Sequence, residues 1–113
     1  MQSSRDRNKE RLYHIIVAID KICDYTVAIT YEEFEKDSRC NEAVMFQLFI
    51  IGEAINHFDV NILERYPYPW HMVKAQRNVI AHEYFGIRLD KIWNVIHNDL
   101  PDLKTQITKI IRI

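Results

Sequence analysis

Residues 44–58, VMFQLFIIGEAINHF, form a long apolar stretch that indicates the fold class. Five of its apolar residues recur at steps of three and four, the spacing of one face of an α-helix. They are Val44, Leu48, Ile51, Ile55 and Phe58. Met45, Phe49 and Ile50 widen this face, so we expect the helix to contact more than one neighbour. Asn41 is placed to cap the beginning of this helix.

The same spacing appears in the segment that precedes this stretch. Apolar residues at steps of three and four predict a first helix over residues 4–29. Thr30 is followed three residues later by Glu33, which is the pattern of a capping box and predicts a short helix over Tyr31–Lys36.

Two prolines interrupt the helical pattern after the central stretch. Pro67 and Pro69 each lack an N–H, so they favour a rigid connection. Helical spacing resumes from Trp70 to Tyr84, and Gly86 is placed to let the chain leave that helix. A last helix is predicted over residues 89–110, with Pro101 as a kink or a new first turn. We therefore expect an all-α fold, an antiparallel up-and-down bundle of four principal helices with one short extra helix.

Composition agrees with a helical domain. The 113 residues include two glycines and three prolines, too few for the turns of a β-sandwich or barrel. This length suits a single domain over residues 1–113. The formal net charge of -1 provides no overall attraction to RNA, so a nucleic-acid site has to be a local patch.

Cysteine and histidine usage predicts a protein without a metal. The two cysteines form no CxxC pair, and the five histidines show no HxxxH or HExxH spacing. No Gly-rich phosphate loop is present, so we expect no cofactor. Free thiols and the lack of an apolar run long enough to span a bilayer predict a cytoplasmic protein without membrane contact.

One short motif indicates chemistry. Arg77, Asn78, His82 and Tyr84 follow the order Arg-Asn-x3-His-x-Tyr. Arg-x4-His alone arises easily by chance in a chain of this composition, whereas the added Asn and Tyr make the match much more specific.

The motif resembles that of the HepT-like HEPN proteins, the toxin members of bacterial and archaeal toxin–antitoxin systems. The similarity extends over most of the chain and includes the segments FIIGEA at 49–54, Pro69-Trp70, Ile92-Trp93 and Asp99-Leu100-Pro101. It implies an endoribonuclease that forms a homodimer, acts on tRNA or mRNA and is silenced by a cognate minimal nucleotidyltransferase antitoxin. It also implies that Tyr84 is the AMP acceptor of that antitoxin. Without the resemblance, Tyr84 is more simply a packed tyrosine whose hydroxyl forms a hydrogen bond.

The residue types suit RNA cleavage without a metal. The 2′-hydroxyl has to lose a proton, the 5′-oxygen has to gain one, and the charge that develops on the phosphate has to be stabilised. Histidine can transfer protons near neutral pH, and a guanidinium stays charged and binds phosphate oxygens. We therefore assign proton transfer to His82 and phosphate binding to Arg77, with Asn78 orienting the phosphate or the imidazole.

The spacing of this pair imposes a geometric condition. Five residues of an ideal helix separate Arg77 and His82 by about 140° around its axis, so the two side chains would not converge. Either the helix ends before His82, or a second copy of the chain supplies the missing partner. The resemblance to HEPN proteins implies the second arrangement, a dimer in which two motifs face each other across a cleft.

Three further features are open to a structural or a functional interpretation. Glu53 could orient Arg77 through a salt bridge, but a solvent-reaching carboxylate is the preferred interpretation, so Glu53 is left out of the predicted site. Lys74, Arg88 and Lys91 flank the motif and could form a basic patch with Arg77. The alternative function is a non-catalytic helical module that binds a nucleotide or a partner, which the near-neutral charge favours.

Overall fold

The four predicted principal helices are present in the computed structural model, which describes residues 3–112. The elements in chain order are α1 (Ser4–Thr26), α2 (Tyr31–Lys36), α3 (Ser38–Asn56), α4 (Val60–Leu63), α5 (Trp70–His82), α6 (Leu89–Asn94) and α7 (Leu100–Ile111). A π-helical turn, Val95–Asp99, joins α6 to α7, so residues 89–111 form one continuous helical rod. No β-strand occurs within residues 3–112, and the prediction of an all-α bundle is confirmed.

Helix α3 lies between α1 and α5 and packs against both, as its wide apolar face predicts. Its packing against α1 is antiparallel, because the Sγ atom of Cys40 at the start of α3 donates to the carbonyl of Tyr25 at the end of α1. α7 also runs antiparallel to α1, and Lys104 Nζ lies 2.8 Å from Asp20 Oδ1 across this contact. The most buried large side chains come from α1, α2, α3, α4 and α7: Ile15, Ile19, Ile22, Phe34, Val44, Ile51, Ile55, Leu63 and Ile107.

Two predicted helix boundaries are wrong. α1 ends at Thr26 rather than at residue 29, because Ala28 adopts a left-handed backbone with φ of 60° that a helix cannot contain. α3 begins three residues before the predicted cap, since the side chain of Asp37 accepts a hydrogen bond from the backbone N–H of Cys40. Asn41 is instead buried inside α3, where its Nδ2 donates to the carbonyl of Phe34 at 3.1 Å and so helps to satisfy the end of α2.

The connection from α3 to α5 contains a short helix that the sequence analysis missed. α4 is capped by Asp59, whose side chain accepts from the N–H of Asn61 at 2.9 Å. Trp70 then fixes the start of α5, because its Nε1 donates to the carbonyls of Leu63 and Tyr66 at 3.0 and 3.1 Å. These bonds hold the start of α5 against the end of α4.

Pro101 occupies the first turn of α7 without breaking the rod. Because a proline cannot donate to the carbonyl four residues before it, the helix widens locally. The N–H of Leu100 donates to the carbonyl of Val95, five residues earlier. Among the helices of residues 3–112, none combines the length and the apolarity that crossing a bilayer requires.

Candidate active site

A glycine allows α5 to approach α3 closely at the motif arginine. A Cβ atom added to Gly52 would overlap the Cβ of Arg77 and lie 2.8 Å from its Cγ. Glycine costs a helix interior roughly 0.5–1 kcal/mol relative to alanine, so its presence in the buried face of α3 needs a packing reason. The close contact supplies that reason and brings the Arg77 side chain alongside the next residue, Glu53.

Three groups hold the Arg77 side chain. Its Nε donates to Oε1 of Glu53, and its Nη1 donates to Oδ1 of Asn78 at 3.0 Å. The centre of the guanidinium lies 5.0 Å from the centroid of the Phe49 ring, within the range of a cation–π contact. A guanidinium has five N–H donors, so these two hydrogen bonds leave three donors for a phosphate.

Glu53 makes the salt bridge to Arg77 that the sequence left as the less favoured interpretation, although solvent still reaches its carboxylate. Its side chain is 33% exposed and that of Arg77 is 23% exposed, so the ion pair is partly buried. The second oxygen of Glu53, Oε2, lies 3.6 Å from Nε2 of His57, the C-terminal cap residue of α3. Glu53 therefore connects Arg77 with a histidine that the motif does not include.

Asn78 lies next to Arg77 in space as well as in sequence. Asn78 is exposed, and its side-chain oxygen accepts the hydrogen bond from Arg77. Of the two roles predicted for Asn78, an orientation of the phosphate through Arg77 fits this contact.

His82 is the last residue of α5 and is exposed. The α-helix continues regularly through it, so the alternative in which the helix ends before His82 is wrong. In a regular helix Arg77 and His82 are about 7.5 Å apart along the axis and about 140° apart around it. One protomer therefore presents the two groups on different flanks of α5.

Tyr84 lies outside α5, so the prediction from helical spacing that this helix extends to Tyr84 is wrong. The helix is closed at Glu83, whose φ of -130° and ψ of 35° are not helical, and Tyr84 begins a short 3₁₀ turn that ends at Gly86. Burial first, and then the charge and hydrogen bond of Glu42, raise the pKa of the Tyr84 hydroxyl. The ring packs edge-on against Phe85, whose own side chain is fully exposed.

The cations that could form a basic patch beside the motif differ in their surroundings. Arg88 is paired with Asp90, at 3.2 and 2.7 Å, and this pair offsets its charge. Lys91 is exposed and Lys74 is half-buried. Within residues 3–112 there is no group of three or more His, Cys, Asp or Glu side chains arranged to hold a metal ion.

Sequence reasoning missed the residues that support Arg77. Phe49, Gly52 and His57 were not part of the predicted site, and Glu53 was considered and left out. The available signal was the Gly-Glu pair in the middle of an apolar helix, since neither residue is favourable there unless it makes a specific contact.

A family model described as ribonuclease HepT-like matches residues 15–110. The chain therefore belongs to the HepT-like ribonuclease family, and the resemblance seen in the sequence is confirmed. The family is a ribonuclease family, so the chain is a ribonuclease. This membership also supports RNA as the substrate.

Several relatives have similar length. A protein of Methanocaldococcus jannaschii, provisionally named an RNase, is 34% identical over 102 residues, which are 89% of this chain and 84% of that protein. A Caldanaerobacter subterraneus protein with the same kind of name is 30% identical over 89% of this chain and 91% of its own. A Thermococcus cleftensis protein, provisionally named ribonuclease HepT, is 32% identical over 91% of this chain and 94% of its own. No solved structure gives a significant match.

Proposed function

We propose that the chain is a cytoplasmic, metal-independent endoribonuclease toxin and that Arg77, Asn78 and His82 form its active site. The observation that carries this proposal is the restrained guanidinium of Arg77. A side chain held by Glu53, Asn78 and Phe49 loses little further freedom when it binds a phosphate, so its charge is already oriented for the transition state.

The reaction is a transfer within the RNA strand. The 2′-oxygen attacks the adjacent phosphorus while its proton passes to an imidazole, and the bond from phosphorus to the 5′-oxygen breaks as that oxygen receives a proton. The products are a 2′,3′-cyclic phosphate and a 5′-hydroxyl. His82 transfers the protons, and the N–H donors of Arg77 neutralise the charge that builds on the phosphate oxygens.

A homodimer would complete this site. His82 and Arg77 lie on different flanks of α5 in one protomer, so His82 of a second copy is needed to face Arg77. Met72 and Val79 are exposed and share an outward stripe of α5 with His82, at steps of seven and three. An apolar stripe that contains the catalytic histidine favours a contact between copies at this helix.

The regulation that we propose is adenylylation of Tyr84 by a cognate minimal nucleotidyltransferase antitoxin. The tyrosine oxygen would attack the α-phosphate of ATP and release pyrophosphate, while the carboxylate of Glu42 is positioned to accept the phenolic proton. The attached AMP would add bulk and negative charge two residues from His82 and repel the phosphates of tRNA or mRNA.

The decisive experiment is cleavage of single-stranded RNA by the purified chain with a metal chelator present. We expect products with cyclic phosphate and 5′-hydroxyl ends. His82→Ala should reduce the rate by about 100- to 10,000-fold. The matched control is His71→Ala, an exposed histidine near the start of the same helix, which should cleave normally. RNA binding without cleavage by the unaltered chain would instead favour the non-catalytic binding module.

A further inference from the structure

A groove of about 310 Å³ runs between α1 and α3 on the surface next to Arg77. Its lining includes aromatic, basic and acidic side chains: Arg11, His14, Phe46, Phe49, Glu53 and His57. Phe49 and Glu53 line the groove and also contact Arg77, so the groove adjoins the candidate active site.

The groove extends along α3 from Glu53, the partner of Arg77, toward the end of α3 that faces Tyr84. α3 and α5 run antiparallel, since Glu53 on α3 contacts Arg77 and Glu42 on α3 interacts with Tyr84. Phe46 lies on α3 between these two contacts. An RNA strand bound through a phosphate at Arg77 would therefore have a neighbouring nucleotide within reach of Phe46.

The chemistry of the groove suits one nucleotide. Phe46 is 60% exposed, so its ring is accessible to a base that enters the groove. Arg11 provides a cationic donor for a phosphate and His14 can provide a ring N–H, and Glu53, the only carboxylate among the lining residues, is already paired with Arg77. The volume lies at the lower end of the roughly 300–1,000 Å³ typical of small-ligand sites, which favours a single base over a protein segment.

We infer that this groove is a subsite for a nucleobase of single-stranded RNA, with Phe46 as the stacking platform and Arg11 as the phosphate contact of that nucleotide. The inference rests on the proposed function because the bound strand is the substrate whose scissile phosphate Arg77 holds. An aromatic face accepts any base, so the subsite would strengthen binding without strong sequence preference.

Oligonucleotide binding tests the subsite without any use of cleavage. In the His82→Ala background, a fluorescent single-stranded oligoribonucleotide is titrated against variants at position 46, and dissociation constants are measured by anisotropy. Phe46→Ala and Phe46→Leu should both weaken binding by about tenfold, whereas Phe46→Tyr should bind like the parent, because only an aromatic ring can stack. An oligonucleotide of equal length with abasic positions should not distinguish these variants.

Tyr13→Ala is the matched control. Tyr13 is an aromatic residue of α1 with a similar exposure of 57%, but it does not line the groove, so binding should change by less than about twofold. If the parent chain and Phe46→Ala bound the oligoribonucleotide with equal affinity, or if the parent showed no measurable binding, the subsite would be overturned. Sedimentation of each variant tests whether a second copy of the chain occupies the groove instead. Dissociation of a dimer by Phe46→Ala would assign the groove to that second copy. A chain that binds through Phe46 yet cuts no RNA would overturn the proposed function and leave the subsite standing.

Discussion

Arg77 on α5 donates its Nε hydrogen to Glu53 on α3, so the motif arginine is oriented by a residue 24 positions earlier in the chain. A partly buried pair of this kind contributes modestly to stability, typically below about 1 kcal/mol when solvent still reaches it. Its main effect is geometric, because it fixes which N–H groups of Arg77 remain available to a phosphate.

Glu53→Ala should lower the rate of RNA cleavage by about 10- to 100-fold while thermal unfolding changes little, because the guanidinium keeps its charge but loses its orientation. Glu53→Gln should recover part of the rate, since its amide oxygen can still accept from Nε. Glu64→Ala removes an exposed carboxylate beyond the end of α4 and provides the control. If cleavage falls only in proportion to the folded fraction, Glu53 has a structural role alone.

Gly52→Ala should destabilise the fold although alanine is the better helix former. The added Cβ would overlap the Arg77 side chain, and overpacking costs typically 1–3 kcal/mol against a gain in helix propensity of about 1 kcal/mol. Urea denaturation should therefore give a lower midpoint, and cleavage should fall because Arg77 is displaced.

Gly86→Ala is the control for this substitution. No atom lies within 4 Å of a Cβ built at Gly86, and its φ is not positive, so alanine should be tolerated there. Equal midpoints for the two glycine variants would contradict the assigned role of Gly52.

The helices could be predicted from periodicity because their apolar faces are built from local spacing. Their boundaries depend on competing local bonds. Asp37 and Asn41 are both residues that can cap a helix. Asp37 caps α3, whereas the Asn41 side chain lies inside α3 and donates to the carbonyl of Phe34. The sequence of one segment does not contain that information.

The site was predictable to the same limited degree. Arg77, Asn78 and His82 lie within six residues and form a recognisable pattern, whereas the support from Glu53 and Phe49 comes from another helix. A carboxylate in an apolar helix is more often solvated than paired, so composition alone did not favour the salt bridge that Glu53 makes. Tyr84 lies outside the predicted helix because the backbone leaves helical geometry at Glu83, three residues after Ile80, the last buried residue of α5.

Incubation with the cognate nucleotidyltransferase and ATP should add one AMP to the chain, and Tyr84→Phe should abolish the added mass because it removes the acceptor oxygen. Intact-mass spectrometry measures both. Tyr25→Phe, which alters another exposed tyrosine, should be modified like the parent. An adduct that persists in Tyr84→Phe would place the acceptor elsewhere.

Mixing two inactive variants should restore activity if the cleft is shared. In a dimer of Arg77→Ala with His82→Ala, one site lacks both groups, while the other combines the intact Arg77 of one copy with the intact His82 of the other. When subunits exchange freely, half of the dimers are mixed and each has one working site, so about a quarter of the parental rate should return. The two variants are unfolded and refolded together, and cleavage is compared with the same proteins refolded separately. A mixture as inactive as its components would mean that Arg77 and His82 act within one protomer, which the regular α5 helix would then have to unwind to allow.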